Sequence, residues 1–257
     1  MDLLRRFAAA ALFVVGSRRR LRRRPPEDLS GAGARLMLLG AGWGLALVGI
    51  WQATYDLTYP LWFIWVVPSA ACAAATLLVY HRGFAALARP PTSPRPWLTL
   101  PAAAVLAAAW AHMLNEGVRY WDPDWPVQAP RALAWLWPRA VCRVLLLAPV
   151  WGSWSMLVLG QFHRPGPKTG PHTRVLAATT GPLAAAAWLA LPLAGSFVYL
   201  MFVPLPWRFL PPAAAVAGAL VGGTLMVRAR GGLTRDALLA ANVAAQTLFL
   251  LAYLLVR

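Results

Sequence analysis

Long apolar runs, separated by short polar or basic segments, recur along the whole chain. A run of about 20 apolar residues makes a helix long enough to cross the ~30 Å hydrocarbon layer of a bilayer. By that length the pattern predicts seven membrane-spanning helices, at about 34–54, 59–80, 97–115, 141–160, 175–203, 210–227 and 237–256. The expected fold is therefore all-α, a polytopic bundle. Ahead of it, residues 7–16 form an apolar run of only ten residues. That is about half the length a span requires, so residues 2–16 are expected to form a helix lying in the plane of the membrane. The chain divides into a basic arm with this interfacial helix, 1–33, and one membrane domain, 34–257.

Breakers and small residues refine the picture. Pro25-Pro26-Glu27-Asp28 is expected to end helical structure and act as a linker, and Tyr55-Asp56-Leu57-Thr58 to form a tight turn. Residues 81–96 and 161–174 read as loops rich in proline, and 132–143 as an interfacial helix leading into the fourth span. In that span Pro149 removes a backbone donor and Gly152 loosens the helix, which predicts a kink or break at Pro149–Ser155. The fifth run exceeds what a bilayer needs. With Pro182 and Pro192 inside it, a kinked or tilted helix is expected. Gly40 and Gly44 stand four apart, as do Ala214, Gly218 and Gly222, a spacing that lets a second helix approach closely. Such faces suit either packing within the bundle or a protein partner.

Composition supports the membrane class: 60% of residues are hydrophobic and 12% charged, against roughly 25% charged in soluble domains. The formal charge is +16. Its cations cluster in short segments between apolar runs, which fits attraction to anionic lipid headgroups at the basic arm and argues against nucleic acid. Arginine outnumbers lysine 23 to 1. That bias, with abundant Ala and Pro, points to a GC-rich bacterial source. The one lysine, Lys168, lies in a hydrophilic loop, which excludes a retinal Schiff base inside the membrane.

Charge also sets orientation. Of the 24 Lys and Arg residues, 18 fall in 1–35, 81–96, 161–174 and 228–236. Juxtamembrane cations stay on the cytoplasmic side. The expectation is a multi-pass protein of the bacterial inner membrane, with its N-terminus inside and its C-terminus outside.

Candidate chemistry is sparse. An outer-rim cluster gathers Asp56, His112, Glu116 and Arg143, with Asn115, Arg119, Asp122 and Asp124 nearby. His112 and Glu116 share a helix face, where an imidazole and a carboxyl can relay a proton. Separately solvated helix ends explain the same residues. Arg143, just inside the fourth span, is expected to snorkel or to pair with a carboxylate, Glu116 foremost. Asn242 and Gln246 form a polar stripe near mid-membrane, either lining a path or bonding between helices. Cys72 and Cys142 read as packing residues. No metal site and no cofactor is expected. The histidines at 81, 163 and 172 read as solvated loop residues. There is no phosphate-cradling glycine loop, zincin pattern or nucleophile elbow. The function expected is a subunit or scaffold of a membrane assembly, or a transporter-like permease. The alternative is a membrane enzyme acting on lipid at the outer face through His112 and Glu116.

Overall fold

The computed structural model describes residues 2–16, 18–58, 66–88, 110–112, 140–200 and 203–256. All regular structure among them is helical. The helices are α1 (Asp2–Val14), α2 (Arg18–Arg22), α3 (Gly33–Thr58), α4 (Val66–Ala88), α5 (Ala140–Phe162), α6 (Pro171–Thr179), α7 (Pro182–Tyr199), α8 (Leu205–Arg208), α9 (Leu210–Ala217), α10 (Gly223–Ala229) and α11 (Arg235–Val256). A π-helical segment, Gly218–Gly222, joins α9 to α10 without interruption. Six stretches are long and apolar enough to cross a membrane: Gly33–Tyr55, Val66–Ala88, Arg143–Phe162, Pro182–Tyr199, Leu205–Ala229 and Arg235–Val256. The expected third span, 97–115, lies almost wholly outside the described residues. Only 110–112 is seen, as a helical turn with Trp110 buried.

Several predicted boundaries are corrected. The turn expected at Tyr55–Thr58 is the last turn of α3; aromatic stacking of Tyr55 on Trp51, with ring centroids 5.0 Å apart, carries the helix onward. The second span runs to Ala88 rather than ending at 80. Its backbone does leave helical geometry at Tyr80, with φ −102° and ψ 17°. The Pro-Pro-Glu-Asp linker is a 3₁₀ turn, Pro26–Leu29. Asp28 is buried in it and ion-paired with Arg5 at 3.0 Å, which fixes the segment against α1. The long fifth run is two helices. They part at Thr180–Gly181, where Gly181 has φ +33°, and Pro182 opens α7, a position that needs no N–H. Between the fifth and sixth runs, Leu205–Arg208 forms the short helix α8.

Of the kink or break expected at Pro149–Ser155, a break is absent: α5 is continuous from Ala140 to Phe162. Proline is tolerated inside a spanning helix where neighbours hold it on all sides, and α5 is the most enclosed helix of the bundle, packed against α3, α7 and α11. Its seam with α3 is set by glycine. A methyl placed on Gly44 would fall 2.5 Å from the Leu146 carbonyl oxygen, and one on Gly40 2.7 Å from that of Pro149. The two backbones therefore touch, as the four-residue spacing predicted. Gly218 of the sixth run likewise meets the α11 backbone, at Ala244.

The basic segments meet at one end of the bundle. There the Arg230 guanidinium donates to the Ala86 carbonyl at 2.9 Å, and the Thr169 hydroxyl to the Leu233 carbonyl at 2.6 Å. His172 Nε2 lies 2.9 Å from the Arg24 carbonyl, and the Gly31 N–H donates to the Thr179 hydroxyl at 3.0 Å. The four segments that charge alone had grouped are thus neighbours in space.

Candidate functional site

Helix α11 has the highest mean hydropathy of the six spans, 1.9, yet it carries two amides. Asn242 and Gln246 are four residues apart, so they share a face. That face turns inward, leaving them 0% and 2% exposed. Gln246 Nε2 donates to Asn242 Oδ1 at 2.6 Å. Gly152 of α5 lies flat against both: a methyl there would come within 2.7 Å of Asn242 Oδ1 and 2.8 Å of Gln246 Nε2. Gly152, expected to break its helix, instead makes room for the amides. Tyr80 of α4, 3% exposed, stands beside Gln246 and completes the group.

Among the described residues Asn242 Nδ2 and Gln246 Oε1 have no partner, and neither does the hydroxyl of Thr76, one turn before Tyr80 on α4. An unsatisfied buried polar group costs about 1–3 kcal/mol, so such a set stands out in an apolar bundle. Its chemistry is narrow. Amides and hydroxyls can bond a polar group but supply no carboxylate, imidazole or thiolate for acid–base or nucleophilic work.

Beside this group lies an apolar groove of about 410 Å³. Its walls come from α1 (Phe7, Ala11), α3 (Leu39, Trp43) and α4 (Val79), with Tyr80 and Ser153 also on its lining. Trp43 Nε1 has no hydrogen-bond partner. A pocket that is apolar save for a few polar atoms is the usual form of a small-ligand site.

Of the outer-rim residues, His112 is exposed. Asp56 ends α3, and its side chain lies outside the described residues, as do Asn115, Glu116, Arg119, Asp122 and Asp124 in full. Arg143 is 2% exposed in the first turn of α5, and its charge acts on the Tyr199 hydroxyl at the end of α7. The expected Arg143–Glu116 pair falls outside the described residues. Cys72 is a free, buried thiol donating to the Leu47 carbonyl at 3.4 Å. Among the described residues no three His, Cys, Asp or Glu side chains gather as metal ligands would.

The basic end holds the residues that sequence reasoning passed over. Arg235 opens α11, where a cation opposes the helix dipole. Its guanidinium donates instead to the last carbonyls of α1: Nε to Phe13 at 2.7 Å, Nη2 to Leu12 at 2.9 Å and to Gly16 at 2.8 Å. It also stands 5.5 Å from the Phe13 ring centroid. An arginine on the unfavourable end of a helix was the available signal. His163 lies 3.0 Å from the Thr224 hydroxyl, and burial together with the Arg228 charge holds its pKa below the ordinary value.

No protein-family model, curated protein or solved structure matches the chain.

Proposed function

We propose that the chain is a non-enzymatic scaffold or subunit of a membrane assembly. It sits in the bacterial plasma membrane with seven spans, its N-terminus inside and its C-terminus outside. The observation that carries the functional reading is the closure of the mid-membrane amides. A permease needs a polar path, and here Gly152 packs within van der Waals distance of Asn242 and Gln246, which bond each other. Support for seven spans comes from the described ends. Ala86 meets Arg230 at the basic end, while α5 starts at the opposite end and runs back toward it. The chain between them thus begins and finishes on opposite sides, as one further crossing requires. The meeting of four basic segments at one end supports the orientation through the charge rule. Helix α1 ends there too, with Leu3 and Leu4 exposed, which suits a helix lying in the interface.

The test is site-specific photo-crosslinking in native membranes. A probe at Leu193, 41% exposed on α7, is expected to yield a discrete protein adduct, whereas one at Leu238, 1% exposed, yields only internal links. Lipid adducts alone at Leu193, together with solute flux through the purified protein in liposomes, would replace the scaffold with a permease. Reporters after Lys168 and after Arg257 check orientation: inside and outside, respectively.

A further inference from the structure

At the basic end, between α2 and the starts of α6 and α11, lies a second cavity of about 560 Å³. Among the described residues its lining includes Arg22, Lys168 and Arg235, and no carboxylate. Two nearby acids are engaged elsewhere, Asp28 with Arg5 at 3.0 Å and Asp236 with Arg230 at 3.7 Å, and Glu27 is exposed and not on the lining. Among the described residues neither Arg22 nor Lys168 has an ion-pair partner. Arg22 and Lys168, like charges on one hollow, repel each other until an anion enters.

The polar lining is shaped for such an anion. Thr173 is 2% exposed and faces the hollow, and its hydroxyl makes no hydrogen bond to any described residue. A hydroxyl that opens on the cavity with no protein partner among the described residues can donate to a bound group. His172 is 7% exposed, its ring steadied on the Arg24 carbonyl at 2.9 Å. Gly170 gives α6 no side-chain cap, so the His172 and Thr173 N–H groups are left at the positive end of that helix, a natural phosphate cradle. Helix α11 begins on the same wall. Two helix starts, the cations Arg22 and Lys168 and the Thr173 hydroxyl converge on a space of ligand size.

We propose that this cavity binds a phosphate group, carried by the head of an anionic phospholipid or as free phosphate. The lipid source rests on the membrane orientation above, which puts the cavity at cytoplasmic headgroup level. The free-phosphate source does not need it.

The experiment uses the full chain, delipidated in detergent. Native mass spectrometry measures retention of phosphatidylglycerol against phosphatidylcholine, and calorimetry measures inorganic phosphate. Arg22→Gln with Lys168→Gln removes two wall charges. Arg19→Gln with Arg23→Gln removes two exposed charges off the wall. Thr173→Val removes the hydroxyl, and thermal unfolding verifies that each variant is folded. One phosphatidylglycerol is expected per chain, with affinity falling at least ~10-fold for the wall pair and less than ~2-fold for the off-wall pair. Phosphate binding with the same dependence, but no preference for phosphatidylglycerol, assigns the site to free phosphate. Equal losses in both pairs would reduce the effect to diffuse charge and overturn the proposal, as would no binding of either probe. If phosphate binds through the wall while alkaline extraction strips the chain from membranes, the membrane reading fails and the cavity assignment stands.

Discussion

The basic end and the apolar middle of this bundle are held together by opposite means. At the basic end, distant segments are tied by side chains that bond backbone carbonyls: Arg235 to α1, Arg230 to α4, Thr169 to the start of α11. In the middle such ties are few, and helices meet where glycine lets backbones touch, as at Gly40, Gly44 and Gly218. Water explains the difference. At the wet end a polar side chain can leave solvent only for an equal partner. Inside the bilayer, lipid is as apolar as the core, so burial gives no drive and close fit must supply it.

The comparison breaks most readily at Gly44. Gly44→Leu puts a side chain into the Leu146 carbonyl, a backbone atom that cannot rotate away. A loss of about 3 kcal/mol is expected, at the upper end of overpacking costs. Unfolding in mixed micelles measures it, and an unchanged midpoint would show that α3 and α5 are not held by fit. Arg235→Gln tests the other region. It removes three bonds to α1 carbonyls. A loss of about 2 kcal/mol is expected, in line with charge-assisted bonds. Hydrogen exchange should rise in residues 2–16 before it rises in α5. A uniform rise would mean that α1 is not separately tethered.

The amide pair sharpens the contrast, because it is polar and yet sits in the middle. Hydrogen bonds between spanning helices average only about 0.6 kcal/mol, and here the bond lies within one helix. Asn242→Leu with Gln246→Leu is expected to change stability by under ~1 kcal/mol, since two unsatisfied atoms disappear with it. A loss above ~3 kcal/mol would give the pair the weight of a buried ion pair.

These regions were unequally legible in the sequence. The existence of six of the seven expected spans followed from length and hydropathy, and the grouping of basic segments followed from charge. Contacts at Gly40, Gly44 and Gly218 followed from spacing. Three things did not. The α6–α7 break lies at Thr180–Gly181, ahead of the proline that drew attention. Gly152 was read for its backbone freedom, when its role is steric, and only the neighbour at Asn242 reveals that. Arg235 bonds residues more than 200 positions away, and no local pattern encodes such a partner.

The smallest effect is expected on α7, and it bears on the proposed function. Helices α5 and α7 look alike in sequence. Their spans have mean hydropathies of 1.4 and 1.5 and each contains an internal proline, yet 78% of the α5 span is buried and 17% of the α7 span. Hydropathy cannot separate them, because lipid and protein interior are equally apolar. The α7 residues Leu183 and Leu191 are 86% and 47% exposed. Before the bundle forms, these side chains face lipid; in the finished monomer they still do. Truncating them removes similar contacts from both states, so Leu183→Ala with Leu191→Ala should shift monomer stability by no more than ~0.5 kcal/mol. Leu159→Ala in α5, at 0% exposure and packed on Gly223, should cost about 2–5 kcal/mol. Measured in detergent, the contrast tests the burial difference itself. Measured in native membranes, the same α7 variant tests the scaffold: if a partner covers that face, its thermal midpoint should fall there while remaining unchanged in detergent. No fall in either setting would leave α7 facing lipid alone.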